Sequence, residues 1–189
     1  MAEIKSNGLF QGDLITFIDN TITMMTEFKT DFNATLAKLD ADVLVGDTNY
    51  VSTTQITASV PSRAATIRKD GIHQGDLYTL ISSLASFAST CATKYAALLA
   101  KLDADGGVNL TTYASGNPVT STTPSASDLS GTGLGKAKAI NFVLALSAFF
   151  TELKADYNAV LAKLDTDTGV TDTNYAATNP VSASLSTTV

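Results

Sequence analysis

Apolar residues recur along the chain in two rows, each with a spacing of seven positions, within three separate stretches. The first row contains Ile18, Met25, Phe32 and Leu39, then Ile81, Ala88, Tyr95 and Leu102, then Val143, Phe150, Tyr157 and Leu164. The second row contains Leu14, Thr21, Phe28 and Thr35, then Leu77, Leu84, Cys91 and Leu98, then Ala139, Leu146, Leu153 and Val160. Such rows are the a and d positions of heptads, which are typical of helices packed side by side. We therefore predict three long helices with a shared core, in which Phe32, Leu39, Tyr95, Leu102, Tyr157 and Leu164 form matching layers.

The three stretches belong to three tandem repeats. Leu36–Asp42 returns with almost the same residues as Leu99–Asp105 and Leu161–Asp167, at offsets of 63 and 62 positions. Self-similarity at a fixed period is the sequence signature of a repeated structural unit. We therefore divide a single domain, 1–189, into three units: unit 1 is 8–70, unit 2 is 71–132 and unit 3 is 133–189.

Each unit has a helical half and a half that is rich in Thr, Ser, Asn, Gly and Pro. In unit 1 the helical run follows an N-cap signal at Gly12-Asp13 and lasts to Val45, and Asp76 gives the same signal in unit 2. The second halves favour extended chain, short edge strands or turns. The predicted class is all-α with long irregular or extended connectors.

The length of the connectors bears on helix direction. A connector of about 30 residues can span about 90 Å, which exceeds the length of a helix of about 28 residues. Antiparallel bundles use connections of about 2 to 8 residues. We therefore expect three parallel helices around a pseudo-threefold axis, while an up-down-up bundle and a string of separate hairpins remain alternatives.

Composition and charge exclude several classes of function. The 189 residues carry 12 basic and 18 acidic side chains, a net charge of −6, without a basic cluster for nucleic acid. The longest apolar stretch, Ala139 to Phe150, is shorter than the roughly 20 residues that span a bilayer. Met1 to Gly8 lacks the apolar core of a secretory signal, and a single Cys91 allows no internal disulfide. We expect no nucleic-acid partner, no membrane insertion and no export by the general secretory route.

The most suggestive polar feature is an Asp-x-Asp doublet at each helix exit. The three doublets contain Asp40, Asp42, Asp103, Asp105, Asp165 and Asp167. The positions that follow lack the ligand pattern of an EF-hand, and Asp is common at helix exits and turns. A weaker hypothesis is a cation site where six carboxylates gather at the helix C-termini.

Other candidate chemistry has a simpler interpretation. Tyr50, Tyr113 and Tyr175 stand at matching places, and they either pin the returning chain onto its helix or face a partner protein. The lone His73 and Cys91 lack a catalytic constellation, and we assign the glutamates Glu3, Glu27 and Glu152 no matching place. We predict no enzyme activity and no cofactor.

The repeated string Leu-Ala-Lys-Leu-Asp-x-Asp, followed by Gly-Val and Asp-Thr-Asn-Tyr in Leu161–Tyr175, resembles a motif of virion structural proteins of tailed bacteriophages, notably phages of cyanobacteria and other aquatic bacteria. Unit 1 departs from it at 43–45 and unit 2 at 109–112. The resemblance implies a non-enzymatic component of the head, neck or tail, with other virion proteins as partners.

Together these observations favour a structural protein of the virion that decorates the capsid and is built in the host cytoplasm. Its polar arms could add to neighbouring subunits, including further copies of this chain. A neck or tail fibre component is one alternative, and a surface-displayed helical-repeat binding module or adhesin is another.

Overall fold

The computed structural model describes residues 11–68, 71–72, 74–125 and 136–185. Three long helices dominate it: α1 (Gln11–Ala41), α3 (Gln74–Ala104) and α5 (Lys136–Leu164). A short helix follows each long one: α2 (Tyr50–Thr54), α4 (Tyr113–Gly116) and α6 (Tyr175–Thr178). Strands β1 (Ile67–Arg68) and β2 (Gly71–Ile72) form one small antiparallel pair. The described chain is mostly helical, as the heptad rows predict.

The ends of the long helices differ from the sequence prediction. Helix α1 ends at Ala41 rather than Val45, because the side chain of Asp42 accepts the backbone N–H of Leu44 and turns the chain. Asp13 and Asp76 lie in the first turns of α1 and α3 rather than at N-cap positions. The absence of Gly and Pro was therefore a poor guide to where the helix stops.

Both heptad rows are buried along their whole length. All members of the two rows have at most a few per cent of their surface exposed, including the hydroxyls of Thr21 and Thr35. The six predicted layer residues, Phe32, Leu39, Tyr95, Leu102, Tyr157 and Leu164, are all buried. The rings of Phe32 and Tyr157, which occupy matching places in α1 and α5, lie 6.2 Å apart between centroids. The burial of these rows is the main source of hydrophobic stability.

The segment after each short helix, here called the arm, runs back along the long helix of its own unit. Arm 1 is 55–66, arm 2 is 117–125 and arm 3 is 179–185. Asn33 of α1 exchanges two hydrogen bonds with the backbone of Ile56, and Asn158 of α5 does the same with Val181. Further along arm 1, Arg63 forms an ion pair with Asp19. The connectors thus contain a short helix that the sequence did not predict, followed by extended chain.

No helix in the described ranges is both long enough and apolar enough to cross a membrane.

Candidate functional site

The first aspartate of each doublet holds the short helix of its own unit. Asp40 accepts the backbone N–H groups of Tyr50 and Val51 at 2.6 and 3.0 Å. Asp103 and Asp165 hold the first two N–H groups of α4 and α6 in the same way. These N–H groups have no partner inside a helix, so a carboxylate satisfies them and folds the chain back at the helix exit.

The second aspartate of each doublet joins two units, and we call Asp42, Asp105 and Asp167 the bridging aspartates. Each accepts one N–H from its own turn, two residues further on, at 2.8–3.0 Å. Each also accepts two N–H groups from the exit loop of another unit. These are Gly46 and Asp47 on Asp105, Asn109 and Leu110 on Asp167, and Thr171 and Asp172 on Asp42, all at 2.8–3.0 Å.

The three contacts between units form a closed cycle. The bridging aspartate of unit 2 holds the loop of unit 1, that of unit 3 holds the loop of unit 2, and that of unit 1 holds the loop of unit 3. The C-terminal ends of the three long helices therefore meet. We call this arrangement the aspartate ring.

Tyr50, Tyr113 and Tyr175 are buried in the aspartate ring and do not lie on the surface. Tyr50 donates its hydroxyl to Asp105 at 2.8 Å, and Tyr113 donates to Asp167 at 3.0 Å. The hydroxyl of Tyr175, in contrast, has no hydrogen-bond partner among the described residues. All three rings are fully buried, which contradicts their placement as a partner-facing surface. They pin their own loops, as one alternative held, but onto a neighbouring unit.

A lysine from the neighbouring long helix covers each tyrosine ring. The ammonium nitrogens of Lys38, Lys101 and Lys163 lie 4.1, 4.4 and 4.0 Å from the ring centroids of Tyr175, Tyr50 and Tyr113. Lys38 and Lys101 also form ion pairs with aspartates of the loops that they cover. Each cation–π contact contributes about 0.5–1 kcal/mol at a partly exposed site.

The hydrogen bonds set the charge state of the ring. Burial alone would raise the pKa of Asp105, but hydrogen bonds from Gly107, Tyr50, Gly46 and Asp47 outweigh it and hold the pKa below 3.8. The same balance lowers the pKa of the other two bridging aspartates. Burial and the neighbouring carboxylate raise the pKa of Tyr50, so its hydroxyl remains a donor. The ring is a set of ionised acceptors surrounded by neutral donors.

The carboxylates of the doublets are thus already engaged by donors of the chain itself. Within the described ranges, no three His, Cys, Asp or Glu side chains come together as they would around a metal ion. The doublets instead perform the helix-exit and turn roles that Asp commonly takes.

We expect the ring to make folding stability depend on pH in the acidic range. The bridging aspartates have folded pKa values below their unfolded value of about 3.9, so their contribution is complete above that pH and is lost as the pH falls through the folded values. Urea unfolding at pH 7, 4 and 3 should show a midpoint that falls mainly between pH 4 and pH 3. The fall should be smaller in Asp105→Asn, and an equal fall in both proteins would contradict the assignment.

The unequal tyrosines allow a matched comparison. Tyr113→Phe removes a hydrogen bond to a carboxylate and should lower the free energy of unfolding by about 1.5 kcal/mol. Tyr175→Phe removes a buried hydroxyl that has no partner in the described chain, so it should be neutral within about 0.5 kcal/mol or stabilising. Chemical denaturation of both variants measures the difference, and equal losses would show that the two links are equivalent.

Two glutamates reveal a contact that the sequence analysis missed. Glu27 of α1 accepts the N–H and hydroxyl of Ser182 and the N–H of Ala183, all from arm 3, at 2.6–2.8 Å. Glu152 of α5 accepts the equivalent three donors of arm 2, from Thr120 and Ser121. We call each such contact a glutamate clamp.

The assignment of Glu27 and Glu152 to unmatched places was wrong. They are 125 positions apart, which is the sum of the two repeat offsets, 63 and 62. Comparing unit 1 directly with unit 3 would have found the match, because unit 2 has Thr90 at this place. Hydrogen bonds from Ser121 and Thr120 lower the pKa of Glu152 to about 2, so the clamp carries a full negative charge at neutral pH.

The remaining candidates have ordinary surroundings. Cys91 is fully buried in the second heptad row, and burial raises the pKa of its thiol, which makes it unreactive. His73 lies outside the described residues.

Comparison of the chain with known protein families, with curated proteins and with solved structures finds no significant match.

Proposed function

We propose that this chain is a non-enzymatic structural component of a bacteriophage virion, which decorates the capsid as a minor head protein and acts through protein–protein contacts. The observation that carries the proposal is the aspartate ring. It uses the acidic groups, tyrosines and lysines of the helix exits to hold three units together. Side chains that are engaged in hydrogen bonds between units stabilise a rigid structural protein. A catalyst, in contrast, needs a polar group that is free to act on a substrate.

The proposal includes three parallel long helices around a pseudo-threefold axis. Two observations support the parallel arrangement: the C-terminal ends of all three helices meet in the ring, and the matching residues Phe32 and Tyr157 are in ring contact. A chain with this pseudo-symmetry can present three similar surfaces, as a trimer does, and so fits a local threefold position of a capsid.

The tip of unit 1 supplies a first contact surface. Val43 and Leu44 are 84% and 52% exposed, whereas units 2 and 3 carry Gly or Thr at the corresponding positions. Apolar side chains on a rigid tip can bury their surface in a pocket of a larger assembly. This feature also suits the alternative placement, in which the tip of a neck or tail fibre component inserts into the adjoining virion protein.

The test is the composition of purified particles from a culture that produces this chain. Capsid decoration predicts many copies per particle by quantitative mass spectrometry and a matching three-lobed density on the shell by electron cryomicroscopy. A few copies located at the neck or tail would support the alternative virion position. Absence from particles, with the chain on cell surfaces instead, would reject the virion function and favour a binding module or adhesin.

A further inference from the structure

The glutamate clamp is complete in two places and half built in the third. The arm residue that donates a hydroxyl and an N–H has a counterpart in every unit: Thr57, Thr120 and Ser182. The accepting carboxylate is present on α5 and α1, but the neighbouring helix α3 has Thr90 at that position. Arm 1 therefore has the donors of a clamp while α3 provides no carboxylate for them.

The donors of arm 1 are not used elsewhere in the described part of the chain. Neither the N–H nor the hydroxyl of Thr57 forms a hydrogen bond there, and neither does the N–H of Ala58, whose carbonyl accepts from Lys29. Thr57 is exposed. In both complete clamps the same three donors converge on one glutamate. Their chemistry therefore matches a carboxylate.

A groove opens between arm 1 and α3 at this place. It has a volume of about 810 Å³ and reaches from Ala58 and Pro61 on the arm to Phe87 and Thr90 on the helix. Between arm 2 and α5, the space lined by Pro124 and Phe142 has a volume of about 300 Å³. Side chains of Ser and Thr from both walls, together with the exposed ring of Tyr78, line the larger groove.

The charge at the half-built clamp is reversed. One turn beyond each clamping glutamate, α1 and α5 carry Asp31 and Asp156, whereas α3 carries Lys94. Lys94 donates to the carbonyl of Thr53 at 3.1 Å and, with Thr90, lines a small depression beside the groove. A carboxylate at the half-built clamp would therefore have Lys94 one turn away, where the other two clamps have a second acid. The acid that lines the groove, Asp76, is 14 positions from Thr90 along α3.

The backbone of arm 1 offers further contacts. Ser59, Val60 and Ser62 form no hydrogen bonds within the described residues, so this extended segment has free backbone donors and acceptors along the groove. An extended peptide can pair with such an edge while its side chains enter the groove.

We propose that the groove between arm 1 and α3 docks an extended segment of a partner protein, and that an acidic side chain of that segment takes the place which Glu27 and Glu152 take in the other two clamps. The inference deepens the proposed structural function, because a protein occupant follows from a role in assembly. The recognition itself depends on the donors of Thr57 and Ala58 and on Lys94. It is tested on the isolated chain, so its failure is separate from absence of the chain from particles.

The first experiment completes the clamp from within. Thr90→Glu should place a carboxylate on the three donors, and should slow hydrogen exchange of the Thr57 and Ala58 amides by about 10-fold. Ala100→Glu is the control, because it adds the same charge at an exposed position of α3 about 15 Å away. If Thr90→Glu protects these amides no more than Ala100→Glu does, the donors are not arranged for a carboxylate and the proposal is overturned.

The second experiment supplies the carboxylate from outside. The probe is an acetylated and amidated peptide, Ser-Thr-Val-Glu-Val-Thr-Ser, whose β-branched residues favour extended chain. Titration followed by NMR should shift the amides of Thr57 and Ala58, with the peptide binding about 10-fold more tightly than its Gln-containing twin. Lys94→Ala should reduce this preference, and Thr90→Glu should abolish binding.

Four outcomes would overturn the docking proposal. Equal binding of the two peptides, or no binding, would show that the carboxylate is not recognised. Acetate binding as tightly as the peptide would define a small-anion site without a peptide groove. Self-association of the parent chain that Thr90→Glu abolishes, measured by sedimentation, would assign the groove to a second copy.

Discussion

Replacing Asp105 by Asn is expected to lower the free energy of unfolding by about 3 kcal/mol, because hydrogen bonds to a charged acceptor contribute about 1.5–3 kcal/mol each and are only partly replaced by water. Asp105 accepts four donors, from Gly107, Gly46, Asp47 and the hydroxyl of Tyr50. The Asn side chain keeps the shape but has one oxygen, and its NH₂ group points a donor at donors. Unit 2 therefore no longer holds the loop of unit 1 firmly, and urea unfolding measures the decrease in the free energy of unfolding.

Asp47→Asn is the matched control. It removes the same charge from the same loop, but Asp47 contributes its side chain to a partly exposed ion pair with Lys101. Exposed pairs of this kind contribute up to about 1 kcal/mol. Equal losses in Asp47→Asn and Asp105→Asn would mean that general charge balance, rather than the aspartate ring, holds the units together.

Replacing Gly107 by Ala is expected to destabilise the fold by about 3 kcal/mol, because overpacking against rigid backbone cannot be relieved by a rotamer change. A Cβ atom at Gly107 would lie 2.1 Å from the carbonyl oxygen of Leu44 and 2.4 Å from the nitrogen of Gly46. Both atoms are backbone atoms of the unit 1 loop, and that loop is already fixed by Asp105. The two loops must separate to admit a methyl group, which breaks the contact between units.

The adjacent Gly106 provides the control for this prediction. A Cβ atom there meets nothing within 4 Å, so Gly106→Ala should change the free energy of unfolding by less than about 0.5 kcal/mol. Thermal or urea unfolding of the two variants separates a steric effect from a change in turn flexibility. If both substitutions have the same effect, the close approach of the two loops does not contribute to stability.

The same close approach occurs at the next link of the ring. A Cβ atom at Gly169 would lie 2.0 Å from the carbonyl oxygen of Gly107. At the third corresponding position the chain has Leu44, whose side chain is half exposed. Two links are thus closed by glycine and the third directs an apolar side chain outwards, which makes the ring asymmetric at the tip of unit 1.

Both candidate contact surfaces lie where one unit differs in sequence from the other two. Unit 1 carries the exposed tip at Val43 and Leu44, while α3 of unit 2 carries Thr90 and Lys94 where its counterparts carry acids. The exposed tip of unit 1 and the groove between arm 1 and α3 arise where one unit differs in sequence from the other two. The equivalent positions in other units therefore provide internal controls for each proposed function.

The sequence by itself determined which faces of the long helices are buried. Every residue of the two heptad rows is in the core, because a spacing of seven residues fixes one stripe of a helix whatever the partner is. It also predicted that the aspartate doublets act at helix exits, and the side chain of Asp42 does accept an N–H group two residues further on. These features depend on local spacing, which can be read along the chain.

Only the tertiary structure decided which unit holds which. Asp42 reaches Thr171 across 129 positions and Glu27 reaches Ser182 across 155, distances at which spacing carries no information about contact. The sequence did not reveal the burial of Tyr50, Tyr113 and Tyr175 either. A tyrosine among Thr and Asn residues has the same local sequence pattern on a surface as in the buried aspartate ring. Such contacts depend on how three exits converge in space, and that is a property of the packed helices together.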